Sequence, residues 1–129
     1  MRNSIYLTSI FSLGILIIIS AIFTSCKHKT NFEELTEISY SKDITKIINS
    51  NCAFSGCHGF SNYKKFSLMT YEGLINAGVS AGSPQTSEIY SVIKTLNENE
   101  IMPKKPYNEL TEKEIQLIYI WIGQGAKNN

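Results

Sequence analysis

The feature that most constrains this chain is a pair of cysteines separated by four residues, with a histidine directly after the second cysteine. Cys52, Cys57 and His58 lie in a turn-rich stretch, residues 51–62. Two thiols and an imidazole at this spacing have three uses: a disulfide beside an unrelated histidine, a zinc site, or covalent attachment of a prosthetic group whose metal the histidine binds. The compartment and the rest of the chain decide between them.

The N-terminal residues indicate export. Arg2 precedes an uncharged, apolar run over residues 5–23, which is the layout of a secretory signal. The run ends in Phe-Thr-Ser before Cys26, which resembles the lipobox of bacterial lipoproteins, where the leader is cut before the cysteine and the sulfur is acylated. We therefore expect residues 1–25 to be a signal peptide and Cys26 to carry lipid.

An uncleaved transmembrane anchor is the alternative, because 19 uncharged residues at about 1.5 Å each are enough to cross the hydrocarbon core of a bilayer. Both interpretations place the domain at a membrane surface, on the periplasmic side of a bacterial membrane. Thiols in that compartment oxidise unless they are bonded. Loss of Arg2 lowers the formal net charge from +1 to 0, which argues against nucleic acid as a partner.

Residues 26–40 are polar without a sustained period, and they are predicted to form a tether. From residue 41 onwards the pattern is helical, and nothing alternates with period two for long enough to predict a sheet. Ser41 is a plausible N-cap for a first helix that delivers Cys52 to its end. The core face of this helix is predicted to comprise Ile44, Ile47 and Ile48.

Three more helices are predicted. Thr70 caps a short helix that stops at Gly78, and Pro84 opens a middle helix. The apolar stripe of the middle helix comprises Ile89, Val92, Ile93 and Leu96. The terminal helix begins with a capping box of Thr111 and Glu114, and its broad apolar face predicts that it is largely buried.

The histidine directly after the second cysteine favours covalent haem attachment. Two thiols can add to the haem vinyl groups while the adjacent imidazole reaches the iron from the same side. The common spacer has two residues, whereas this one has four, so we expect the extra residues to loop outward with Gly56 at positive φ. A disulfide between Cys52 and Cys57 explains the pair but not His58, and a zinc site lacks an obvious fourth ligand.

A second iron ligand is expected from the loop before the terminal helix. Met102 follows His58 by 44 residues and precedes Pro103, and its thioether is a soft donor that favours ferrous iron. Met69 is the rival, but it follows His58 by only 11 residues and would have to swing under the ring on a short connection. Iron with both axial positions filled carries electrons and does not readily bind oxygen or peroxide, so we expect no enzymatic activity.

Taken together, these features resemble the small bacterial cytochrome c domains of the class I type, including the planctomycete-like branch. The resemblance covers about residues 41–127 in collinear order. Beyond the cysteine motif, the matching residues are Gly82, Pro84, Ser87, Ile89 and Tyr90, then Met102 and Pro103, then Leu110, Thr111, Glu114, Ile115, Trp121, Ile122, Gly125 and Ala126.

The resemblance implies an all-α domain over residues 41–129, a cytochrome c-like bundle of about four short helices around one haem. It implies one covalent haem c with iron held by His58 and Met102, and an electron carrier that meets redox partner proteins transiently. Two other classes stay open. A catalytic haem protein would need an open axial position, and a haem-free exported lipoprotein would use a Cys52–Cys57 disulfide or a zinc site as part of an interaction module.

Overall fold

The computed structural model describes residues 30–61 and 65–129; the predicted signal peptide and residues 26–29 of the predicted tether, Cys26 among them, lie outside these ranges. Within them the chain is all-α, with four α-helices and no strand, as the sequence predicts. None of these helices has the length and apolar character needed to span a bilayer. The helices are α1 (Thr45–Asn51), α2 (Tyr71–Asn76), α3 (Glu88–Lys94) and α4 (Glu112–Gly123).

Helix α1 is the continuation of a π-helical turn, Tyr40–Ile44. Ser39 caps this turn by accepting a hydrogen bond from the Lys42 N–H at 3.3 Å, so the prediction of Ser41 as the cap is wrong by two residues. Cys52 forms the C-cap and donates its backbone N–H to the Ile48 carbonyl at 2.8 Å. The isoleucines predicted to face the core are all buried: Ile44, Ile47 and Ile48.

Helix α4 contributes four buried residues to the core. The predicted capping box is present: the Glu114 N–H donates to the Thr111 hydroxyl at 3.3 Å, and the Thr111 N–H donates to the Glu114 carboxylate at 2.8 Å. Trp121 is buried, and its indole N–H donates to the Lys127 carbonyl at 2.9 Å. The helix packs against α3 and against the π-helical turn before α1. The other buried residues of α4 are Ile115, Ile118 and Ile122.

The segment between α2 and α3 is held by a buried serine. Thr70 caps α2 as predicted, with its hydroxyl 3.0 Å from the Gly73 N–H. The Ser87 hydroxyl, fully buried, accepts from the Ser80 N–H at 2.8 Å and fixes the turn that leads into α3. Helix α3 ends at Lys94, so Leu96 is 97% exposed and the prediction that it belongs to the buried stripe is wrong.

Residues 31–38, here called the N-terminal strap, lie against the end of α4 although the sequence assigns them to the tether. Gln124 accepts from the Ile38 N–H at 2.9 Å, and Ile38 is 9% exposed. The Gln124 side-chain amide donates at 3.0–3.2 Å to the carbonyls of Phe32, Leu35 and Thr36. The compact unit of the structure begins at Asn31. The bonds from the strap backbone to Gln124 require no apolar period in its sequence.

Candidate functional site

A cavity of about 290 Å³ collects the four side chains predicted to hold a prosthetic group. Cys52, Cys57 and His58 line it together with Met102, which comes from the loop between α3 and α4. Met69 is not among the described residues that line the cavity. Most of the remaining wall is apolar, formed by Phe54, Phe66, Leu68, Ala77, Ile89, Val92, Ile93 and Pro103.

The four-residue spacer between the cysteines folds into a tight turn. Gly56 has φ +79°, as predicted, and nothing lies within 4 Å of where its Cβ would be, so only the backbone angle requires glycine there. The N–H groups of Cys57 and Gly59 both donate to the Phe54 carbonyl at 3.0 Å. A Cβ on Gly59 would lie 2.9 Å from the carbonyl oxygens of Ala53 and Phe54, so the turn tolerates no side chain there.

The direction of this spacer differs from the prediction. Ser55 is exposed, but Phe54 is half-buried and lines the cavity, so the spacer does not loop wholly outward. The Phe54 ring stacks on the Tyr107 ring with centroids 4.7 Å apart and planes 11° apart. A large apolar ring is buried more favourably against a second ring and the cavity wall than in water, which turns it inward.

The two thiols of the cavity are both free and half-buried in the part of the chain that the structure describes. Burial raises the pKa of the Cys52 thiol to about 12, and the negative charge of Glu114 adds to the effect. Cys52 is therefore an uncharged thiol at neutral pH. An uncharged thiol or thioether suits this apolar wall better than an isolated thiolate does. Within residues 30–61 and 65–129, no group of three His, Cys, Asp or Glu side chains is arranged to hold a metal ion.

The His58 ring is oriented by Phe66 in two ways. Its Nδ1 lies 3.0 Å from the Phe66 carbonyl oxygen. Because a carbonyl only accepts, Nδ1 carries the proton and the Nε2 lone pair is left for a metal. The His58 and Phe66 rings also stack, with centroids 4.7 Å apart and planes 13° apart. The Leu68 N–H donates to the His58 carbonyl at 2.8 Å and holds the following segment beside the motif.

Met102 is brought to the cavity by helix α3. Its backbone N–H donates to the carbonyl of Val92 at 2.9 Å, and Val92 itself lines the cavity. Pro103 is buried directly after it. The backbone of Met102 is thus fixed beside Val92 of α3, although its loop has no regular secondary structure.

Sequence reasoning missed several residues of the cavity wall. Asn51 lines the cavity and donates from Nδ2 to the Glu114 carboxylate at 3.0 Å, which joins the end of α1 to the start of α4. Lys65, Lys104, Glu88 and Tyr107 also line the cavity. None of them belongs to a local motif, and only Tyr107, an aromatic residue in the loop of Met102, carried a signal. Comparison of the chain with protein-family models, curated proteins and solved structures found no match.

Proposed function

We propose that this protein is a c-type cytochrome, an electron carrier that holds one haem through Cys52 and Cys57 with His58 and Met102 as the axial ligands. The observation that carries the proposal is that these four residues, from two segments 44 residues apart, line one apolar cavity. When bound, the haem supplies an iron that changes between the ferric and ferrous states.

The donor set of the cavity fits a covalent haem. Cys52 and Cys57 would each add as a thiol across a vinyl group, the sulfur bonding to one carbon and the thiol hydrogen going to the other, without any net oxidation. The thioether product is uncharged, which suits the buried position of Cys52. The apolar wall would exclude water from the faces of a flat macrocycle.

The axial residues have separate tasks. The His58 Nδ1 donates its proton to the Phe66 carbonyl, so this bond would hold the ring in one tautomer and one orientation in both oxidation states of the iron. Met102 belongs to a loop anchored on α3, and its soft thioether would be the second ligand to the iron and would favour the ferrous state. Two fixed ligands suit electron transfer without catalysis, so the proposal is a carrier and not an enzyme.

The proposal includes a place for the carrier. The N-terminal leader and Cys26 support a lipid anchor on the periplasmic side of a bacterial membrane. With a formal net charge of 0 after cleavage before Cys26, long-range electrostatic steering is weak. Confinement to the membrane surface would instead raise the encounter rate with redox partner proteins, which would dock transiently.

A pyridine haemochrome spectrum tests the proposal. The full chain is produced with cytochrome maturation factors, and loosely bound haem is stripped with acid acetone before alkaline pyridine is added. We expect haem to remain with the polypeptide and to show a c-type band, because two thioether bonds replace both vinyl groups. A band displaced toward the b-type position would mean that only one of Cys52 and Cys57 is bonded.

The matched control is the double variant Cys52→Ala/Cys57→Ala, which we expect to lose its haem to acid acetone. A wild-type chain that stays colourless despite competent maturation would contradict the proposal. Thiol titration and zinc analysis of the same sample would then choose between a disulfide and a zinc site in an exported lipoprotein.

A further inference from the structure

The two loops that carry the proposed ligands meet outside the ligand residues themselves. Phe54, from the spacer between the cysteines, stacks face to face on Tyr107, from the loop that follows Met102, with ring centroids 4.7 Å apart and planes 11° apart. Both rings line the cavity, and Tyr107 is 42% exposed. The pair therefore lies between the cavity and solvent and joins the cysteine loop to the methionine loop.

Phe54 is held rigidly on its own side. Its carbonyl accepts the N–H groups of both Cys57 and Gly59 at 3.0 Å, and Gly59 approaches that carbonyl so closely that a Cβ there would lie 2.9 Å from its oxygen. The ring is thus presented from a fixed backbone beside the proposed attachment sites.

Tyr107 is held less firmly. Its N–H donates to the Lys104 carbonyl at 3.0 Å within the same loop. Earlier in the loop, the bond from the Met102 N–H to the Val92 carbonyl fixes the chain at Met102 itself. The part of the methionine loop that follows Met102 therefore contacts the cysteine loop through the ring of Tyr107.

We propose that Phe54 and Tyr107 form an aromatic clasp that holds the Met102 loop closed over the cavity. The inference rests on the proposed function and assigns these two side chains as positioning residues for the distal ligand. It also gives the long spacer between the cysteines a role, since the spacer supplies Phe54. Opening of the clasp would let the methionine loop move away and expose the axial position to outside ligands.

The test is the affinity of imidazole for the ferric, haem-loaded protein, because imidazole binds where the methionine leaves. The variants are Phe54→Leu, Tyr107→Leu and the two combined; leucine keeps apolar bulk and removes the stacked ring. Stacked aromatic pairs contribute enough to change an opening equilibrium by about 2- to 10-fold. We expect each single variant to bind imidazole that much more tightly, and the double variant to bind no more tightly than either single variant.

Two controls separate the clasp from general destabilisation. Tyr107→Phe keeps the stacked ring, and we expect it to leave the imidazole affinity unchanged. We expect the same unchanged affinity for Phe60→Leu, because Phe60 is 78% exposed and is not among the described residues that line the cavity. A purely structural role would lower the unfolding temperature of the Leu variants without changing imidazole affinity, and that result overturns the clasp. The clasp is also overturned if the increases in imidazole affinity of the two single variants multiply in the double variant. A wild-type protein without covalent haem overturns the proposed function as well, whereas loaded variants with unchanged affinity overturn the clasp alone.

Discussion

At the scale of single residues, His58 shows how a side chain is prepared for one task by neighbours that do not take part in it. The His58 Nδ1 donates its proton to the Phe66 carbonyl oxygen, 3.0 Å away, and the Phe66 ring stacks on one face of the imidazole. A ring restrained by both a hydrogen bond and a stack loses little further freedom when Nε2 binds a metal. In the structure, Phe66 alone thus restrains the His58 ring both at Nδ1 and on one face.

The two methionines near the motif differ in their position relative to the cavity, which leads to a prediction. Met102 lines the cavity, whereas Met69 is not among its described lining residues. We expect Met102→Ala to lower the midpoint potential by on the order of 100 mV, a fraction of the ~0.8 V span that axial ligands set. The reason is that the thioether stabilises ferrous iron.

A redox titration of the loaded protein measures this potential. Met69→Ala is the matched control, and we expect it to leave the potential unchanged. The reverse result, with Met69→Ala lowering the potential and Met102→Ala silent, would assign the distal ligand to Met69.

At the scale of elements, the start of α4 combines a helix cap with a link to the cavity wall. The Thr111 hydroxyl, as the largest influence, holds the pKa of Glu114 below its usual value, and the Asn51 amide contributes in the same direction. The carboxylate that closes the capping box therefore also restrains Asn51, which precedes Cys52. A change at this helix end reaches the cavity through that one bond of 3.0 Å.

The depressed pKa of Glu114 predicts a pH dependence of stability. A carboxyl group whose folded pKa lies below its unfolded value stabilises the fold above the unfolded pKa, here 4.5, and loses that contribution as the pH falls through the folded pKa. We expect the free energy of unfolding to fall below about pH 4.5, and to fall less steeply in Glu114→Gln. Denaturant titrations of the loaded protein across pH measure the slopes.

Glu112→Gln is the matched control for this prediction. It removes a carboxylate from the same helix turn, where the Glu112 side chain is 85% exposed and pairs with Lys94 at the surface. Exposed pairs of this kind contribute little, so we expect its slope to match wild type. Equal slopes for Glu114→Gln and wild type would show that the capping box is not the source of the acid sensitivity.

The backbone of the N-terminal strap is hydrogen-bonded to one side chain, Gln124, at the end of α4. Gln124→Ala removes the partner of four backbone groups, at Phe32, Leu35, Thr36 and Ile38. Loss of a side chain that satisfies partly buried backbone groups costs about 1–3 kcal/mol. We expect this cost to appear as faster amide hydrogen exchange at Ile38. Gln116→Ala, on the exposed face of the same helix, is the control, and equal exchange in the two variants would contradict the role of Gln124.

At the scale of the whole molecule, the cavity occupies space that apolar side chains would fill in a domain with a larger core. A cavity of about 290 Å³ leaves the residues of its wall without partners on one side, and a compact unit of residues 31–129 has few other apolar layers to compensate. A covalently held macrocycle would supply the missing contacts. The proposed cofactor would therefore also contribute to the stability of the domain.

This leads to a prediction for the chain without haem. We expect Cys52→Ala/Cys57→Ala, freed of haem, to lose most of its cooperative thermal unfolding and part of its helicity, because the walls of the cavity collapse or hydrate. Circular dichroism and calorimetry measure both. A haem-free chain that is fully helical and unfolds cooperatively would show that the four helices pack without the group.

Much of the fold follows from local patterns in the sequence. The all-α class, the cap at Thr70 and the capping box at Thr111 each depend on residues within one helix turn. Gly56 takes the expected positive φ for the same reason, since the angle is required by a turn of a few residues. Apolar periodicity likewise identifies the buried isoleucines of α1, because a helix turns one face of its surface inward.

The tertiary structure alone decided which distant residues meet. The sequence named Cys52, Cys57, His58 and Met102, but only the tertiary structure brings Met102, bonded to Val92 of α3, to the same cavity as the cysteine loop. The Phe66 carbonyl beside His58, the stack on Tyr107 and the strap on Gln124 leave no local pattern either. The physical reason is that local patterns specify backbone conformation and a buried face, whereas a contact between distant residues depends on the angle and depth at which whole helices pack.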